Sequence, residues 1–437
     1  MPSRRLLAVL AFCACAFLSV APTGGAAPAP SHWCGTDEAT GDRLPDAVSS
    51  YQLHAVYAIP SDGVDRYLQL APAIARDLAA IDTWWQGQDP TRTLRWDMHA
   101  FPGCDSAFGA LDISFLRLPL AASAYALPEE GGYANLVRGL QGTFTDRYKK
   151  YQVFYDGPID PNSEVCGVSS LGPTDAGASY AFTLVQADAL NGYCGSLGDT
   201  NYMAETEVHE LIHNLGAVAP SAPHICSGGH VCDSEADIMA PYGTSDSLSD
   251  YVLDLNRDDY YGHSGSWWDV QDSGWLRHLD APQLALTVVR SGDGTVRSDL
   301  PGIACPPACS ITWDGGTKVS LSAQSGANAR FAGWSGSCTG TTSCEVTMDA
   351  AKTVTAKFVT ATTRVAVSIA GRGRVTSTPA GISCPGKCAA TFPSTATVRL
   401  KATATKGWRF TGWSGACHGK TACALRAGAA RATFKRA

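Results

Sequence analysis

Beyond its first thirty residues the chain has no apolar run approaching the roughly 20 residues that a transmembrane helix needs, so no membrane span is expected there. From Arg364 to Ala437 there is no aspartate or glutamate at all, and no two cysteines stand in CxxC spacing. The second absence argues against structural zinc held by paired cysteines. Charged residues make up only 17% of the chain against 45% hydrophobic, which excludes wholesale disorder. At 437 residues the chain exceeds what one core organises, so two or more domains are expected.

What is present begins with a secretory pattern: Arg4 and Arg5, an apolar stretch from Leu6 to Val20, and the small-residue segment APTGGAAPA. Residues 1–29 are therefore predicted to be a signal peptide cleaved near Ala27 to Ala29, taking Cys13 and Cys15 with it. Fourteen cysteines remain, an even number suited to disulfides in an oxidising compartment. Local closure predicts Cys226 with Cys232, Cys305 with Cys309, Cys338 with Cys344, Cys384 with Cys388 and Cys417 with Cys423. Cys34 with Cys104 and Cys166 with Cys194 are the remaining pairs. Charge divides sharply along the chain. Residues 1–283 carry 14 Lys and Arg against 35 Asp and Glu, and residues 284–437 carry 19 against 5. A tail so basic would concentrate on an anionic cell-wall polymer, glycan or nucleic acid, or serve simple solubility.

The basic tail repeats itself. GIACPPAC at Gly302 returns as GISCPGKC at Gly381, and FAGWSGSCTGTTSC at Phe331 returns as FTGWSGACHGKTAC at Phe410, both offset by 79 residues. Alternating runs such as LALTVV and KTVTAKF around Gly-rich turns predict two small all-β domains, residues 284–359 and 364–437. Trp334 and Trp413 read as core residues or as carbohydrate platforms, with core the ordinary role. The units resemble the divergent internalin-type B-repeats of bacterial surface and secreted proteins, which implies a spacer or attachment module without catalysis.

Residues 50–217 mix both periodicities. YQLHAVYAIP, TLRWDMHAFP, ALDISFLRLP, YQVFYDGP and SYAFTLVQ read as strands. Ile74, Leu78, Ile81 and Trp85 recur at helical spacing, and a second helix is expected from about Tyr133 to Tyr148. The expectation is an α+β domain, a mixed sheet flanked by helices.

Chemistry concentrates in NYMAETEVHELIHNLGAV, Asn201 to Val218. Its helical period ends at Gly216 and sets His209 and His213 one turn apart on one face, where both imidazoles reach one cation. Glu210, about 100° round the axis from His209, can address water there as a general base without being a ligand. Zinc suits neutral imidazole and acidifies water at an open position.

HExxH, Gly216 and the segment DIMAPYG from Asp237 to Gly243 together resemble the metzincin zinc proteases. The resemblance spans Asn201 to Gly243. It implies a metzincin-like α+β domain over residues 31–281, Met239 as the methionine of the turn under the ligands, and Tyr242 as a stabiliser of the reacting oxyanion. Where the family pattern places its third ligand, this chain has Ala219, which cannot coordinate. A displaced ligand is required. His224 is the first choice and His230 the alternative, with Asp233 and Glu235 also in the segment; a Cys226 to Cys232 bridge would fix whichever histidine binds. Asp254, Asp258 and Asp259 could hold Ca2+, although they form no EF-hand loop. The sequence thus predicts a secreted zinc endopeptidase that takes an extended polypeptide along an edge strand. The alternative is a wall- or polyanion-binding adhesion protein whose protease-like domain is inactive.

Overall fold

In the computed structural model the described residues are 35 and, from 40 onwards, all except 105–107, 126, 128–129, 161–162, 164, 171–177, 187–193, 244 and 246. The expected signal peptide and the Cys34–Cys104 pair lie outside them. Among the described residues no helix is long and apolar enough to cross a membrane.

The N-terminal domain is built on five strands: β1 (Gln52–Ile59), β3 (Ile113–Arg117), β4 (Lys149–Tyr155), β5 (Gly167–Ser169) and β6 (Tyr180–Leu184). They lie in the order β3-β1-β4-β6-β5. The first four strands of this order run parallel and β5 antiparallel at the edge. Every residue of β1 and β4 is buried, as expected of central parallel strands covered on both faces. Alternation along β1 sorts the layers. Leu53, Ala55, Tyr57 and Ile59 join one core, and Val56 and Ala58 the other.

The first core is closed by α1 (Tyr67–Gln88), through Ile74, Leu78, Ile81 and Trp85, and by the helix that carries HExxH. The second core is closed by α2 (Glu130–Leu140), through Leu136 and Leu140. A mixed sheet with flanking helices is present, but the helices cross over between parallel strands and cover both faces, so the arrangement is mixed α/β, not segregated α+β. The second helix stops at Leu140, short of the expected Tyr148. Residues 141–148 turn instead, delivering the chain to β4, whose Lys149 is buried against Asp97 at 2.5 Å.

A two-stranded pairing of β2 (Arg92–Leu94) with β7 (Leu276–His278) brings the end of this domain back beside its start. The first repeat follows at once with β8 (Gln283–Ser291), β9 (Gly294–Ser298), β10 (Ala304–Cys305), β11 (Ser310–Asp314), β12 (Lys318–Ser325), β13 (Ala329–Gly336), β14 (Cys344–Thr347) and β15 (Lys352–Thr360). These form two four-stranded sheets, β11-β8-β15-β13 and β10-β9-β12-β14, and the second repeat reproduces both sheets from Thr362 to Arg436. Trp334 and Trp413, each 6% exposed, lie inside the two cores, which favours packing over carbohydrate stacking. The five local disulfides and Cys166–Cys194 are formed.

The first repeat docks directly on the N-terminal domain. Arg95 pairs with Asp314 at 2.5 Å with both side chains nearly buried, and the Ser49 hydroxyl donates to the Thr312 carbonyl at 2.7 Å.

Candidate metal centre

The HExxH segment folds as α3 (Tyr202–Asn214). Val208, Leu211 and Ile212 sink into the core shared with α1, which turns the intervening His209, Glu210 and His213 toward a cavity of about 750 Å³. Leu215 closes the helix, and Gly216, at φ 101°, turns the chain in the left-handed region where glycine is favoured. Thirteen residues after Ala217 the chain returns with His230, held by the Cys226–Cys232 disulfide.

Three imidazoles meet at the cavity: ring centroids lie 4.8 Å apart for His209 and His213, 5.2 Å for His209 and His230, and 5.0 Å for His213 and His230. The backbone fixes their protonation. Nδ1 of His209 donates to the Ile238 carbonyl at 2.7 Å, Nδ1 of His213 to the Ala217 carbonyl at 3.2 Å, and Nδ1 of His230 to the Ser227 carbonyl at 2.8 Å. A carbonyl can only accept, so each ring carries a proton on Nδ1, and in the neutral form Nε2 keeps its lone pair. Nε2 of His213 and Nε2 of His230 stand 3.4 Å apart. Burial pushes His209 down to about 4, and burial followed by the neighbouring His209 pushes His213 down to about 3, so both are neutral at physiological pH and ready to coordinate.

The sequence's first choice, His224, stands apart from this group. Asp259, buried and 35 residues downstream, accepts from both its main-chain N–H at 2.8 Å and its Nδ1 at 2.9 Å. That pairing anchors His224 beside Asp233 and Asp258 and leaves the place near α3 to His230. Glu235 is exposed, away from the three rings. The suggested calcium trio is also separated: the Asp254 carboxylate accepts the main-chain N–H groups of residues 258 to 261, while Asp258 and Asp259 face His224.

Met239 is fully buried one residue beyond the carbonyl that orients His209, its own N–H bonded to Asp237 at 2.8 Å. Tyr242 lies on the cavity rim, 82% exposed. Glu210 is buried beside Gly167 of β5, where an added Cβ would fall 2.5 Å from the Glu210 Cγ. Burial, and then Glu205, raises its carboxyl to about 8. The edge strand β5 itself lines the cavity. At three residues it is too short to show alternation in the sequence, and its place beside Glu210 exists only through pairing with β6.

Comparison with known proteins divides the chain in the same way. The divergent InlB B-repeat domain family matches residues 284–362 and 363–435, so the C-terminal part consists of two such domains. No curated protein matches by sequence. Solved structures give slight likenesses. Archaemetzincin from Methanopyrus kandleri is 15% identical, with 46% of this chain and 89% of that one covered and a TM-score of 0.26. Wild-type OgpA from Akkermansia muciniphila is 12% identical, with 73% and 86% covered and a TM-score of 0.29. The Bacillus anthracis TIE protein is 10% identical, with 37% of this chain covered and a TM-score of 0.23; the chain spans only 35% of its length.

Proposed function

We propose that the chain is a secreted zinc-dependent endopeptidase in which His209, His213 and His230 hold the metal and Glu210 is the general base. The observation that carries this reading is the convergence of three Nε2 lone pairs whose Nδ1 protons are all tied to main-chain carbonyls. Two nitrogens bound to one tetrahedral zinc at about 2.0–2.1 Å stand about 3.3–3.4 Å apart, and the His213–His230 separation is 3.4 Å. Three protein ligands leave a tetrahedral ion one open position, the pattern of a catalytic site. When bound, the metal would acidify water and polarise a peptide carbonyl.

The chain's own residues do the rest. Glu210, next to His209 on the helix and walled by Gly167, accepts the proton of the attacking water and delivers it to the leaving amine. The free edge of β5 offers main-chain groups to an extended substrate, which would add as a further strand and lie across the three histidines. Tyr242, at the open rim, is positioned to close on the carbonyl oxygen once substrate is seated. In the second repeat, Arg374, Arg399 and Lys401 stand exposed on one face of paired strands within a segment devoid of acids. That face supports attachment to an anionic wall polymer or glycan.

The test is zinc content of the purified chain together with chelator-sensitive cleavage of an unfolded protein. Glu210→Ala should retain zinc and lose on the order of 10²-fold or more in kcat. A chain that binds no zinc and cleaves nothing, yet binds polyanions through residues 284–437, would establish the adhesion reading instead.

A further inference from the structure

One turn before His209 on α3, Glu205 also lines the cavity. Among the described residues the only hydrogen-bond partner of its carboxylate is the Thr206 hydroxyl at a long 3.4 Å, and no ion pair involves it. Several buried carboxylates of the domain are matched with cations, Asp112 with Arg43, Asp156 with Arg66 and Asp97 with Lys149, whereas three on α3, Glu205, Glu207 and Glu210, are in no ion pair among the described residues; of these Glu207 does not line the cavity and Glu210 is the proposed base. Glu205 has no such match, and among the described residues no lysine or arginine lines the cavity. Across from it runs the segment after Met239, close enough that a Cβ on Gly243 would lie 3.8 Å from the Glu205 Oε1. An adjoining depression, about 290 Å³, presents Asp233 and Glu235 and again no lysine or arginine. Burial raises the Glu205 carboxyl to about 7, the cost of an acid without a cation in a partly desolvated wall.

A helical turn is about 5.4 Å, so Glu205 lies roughly one side chain away from the three histidines. The residue whose side chain enters this space is therefore one that flanks the bond being cut. We infer that Glu205 is the base of a specificity pocket for a lysine or arginine side chain adjoining the scissile bond, a reading that rests on the peptidase proposal above. A cation delivered by substrate supplies the partner that the fold withholds, and a neutral or acidic side chain leaves the carboxylate unpaired at a cost in binding. The acids around the cavity mouth would also draw basic segments toward it.

The experiment uses the full mature chain and peptides identical except for lysine, acetyl-lysine or norleucine at each position flanking the scissile bond. kcat/KM is measured for the zinc-loaded wild type and for Glu205→Gln. Binding of the same peptides is measured by calorimetry on Glu210→Ala, with and without Glu205→Gln. The expected result is a lysine preference of roughly tenfold or more over norleucine, absent for acetyl-lysine and collapsing toward one in both Glu205→Gln backgrounds. Cleavage with no preference for lysine, or a preference that survives Glu205→Gln, overturns the pocket and leaves the peptidase reading standing. Glu205-dependent preference in binding without any cleavage supports the pocket and overturns the peptidase reading; absence of both overturns both. Should Glu205→Gln fail to fold, the wild type still decides: a preference for lysine over both the smaller neutral norleucine and the larger neutral acetyl-lysine reads the charge, and its absence overturns the pocket.

Discussion

Replacing His230 and His224 separately by alanine tests which of the two serves as third ligand in the proposed zinc site. A structural zinc site with four ligands binds with roughly 10–16 kcal/mol, or about 2.5–4 kcal/mol per ligand. His230→Ala should therefore weaken zinc binding about 10²- to 10³-fold, because its Nε2 is one of three that converge and nothing else on the loop replaces it. His224→Ala removes a contact to the buried Asp259 and no lone pair from the proposed centre, so affinity should change by less than about tenfold. The assay is competition with a chelating dye at buffered free zinc, paired with the melting temperature in excess zinc and in excess chelator. Zinc should raise the melting temperature of the wild type and of His224→Ala, and raise that of His230→Ala far less. A loss in His224→Ala equal to or greater than that in His230→Ala would refute the assignment of the third ligand and, with it, the tautomer argument.

Gly167→Ala should lower kcat by on the order of 10²-fold with zinc content unchanged, since the new methyl group would meet the Glu210 Cγ at 2.5 Å and displace the base; peptide kinetics alongside metal analysis check this. Arg95→Met should destabilise the chain by about 2–4 kcal/mol in denaturant unfolding, because Asp314 is left nearly buried without its main partner. Burial alone would raise the Asp314 carboxyl, but Arg95, then Gln283 and Arg277, outweigh it and hold it below the usual range. A carboxylate depressed in the folded state stabilises above its unfolded value near pH 4. The difference between wild type and Arg95→Met should therefore be full at neutral pH and shrink as pH falls below about 4.

Local features of this protein were legible because local geometry creates them. A helical turn places His209 and His213 together whatever surrounds them, and Cys pairs four or six residues apart have few other partners within reach. The repeated GWSG-C units likewise carry their strand alternation and crosslinks within a single segment, so their all-β character follows from the residues themselves. Parallel β1, β3, β4 and β6 were visible as strands. Their crossover order was not, because a buried apolar run does not state its neighbour or its direction.

The third histidine was beyond the sequence for a related reason. Ala219 offers no donor where the metzincin resemblance expects one, and the segment from Ala217 to Met239 holds two imidazoles that composition could not separate. What separated them is Asp259, which captures His224 across 35 residues, and the Ser227 carbonyl, which turns His230 inward. Glu210's wall at Gly167 and the unmatched charge of Glu205 are likewise products of elements far apart in the chain. The sequence determined the donors and the helix that presents two of them. Only the tertiary structure decided which distant groups complete the centre, because that choice depends on hydrogen bonds and packing between segments whose separation in the chain sets no distance in space.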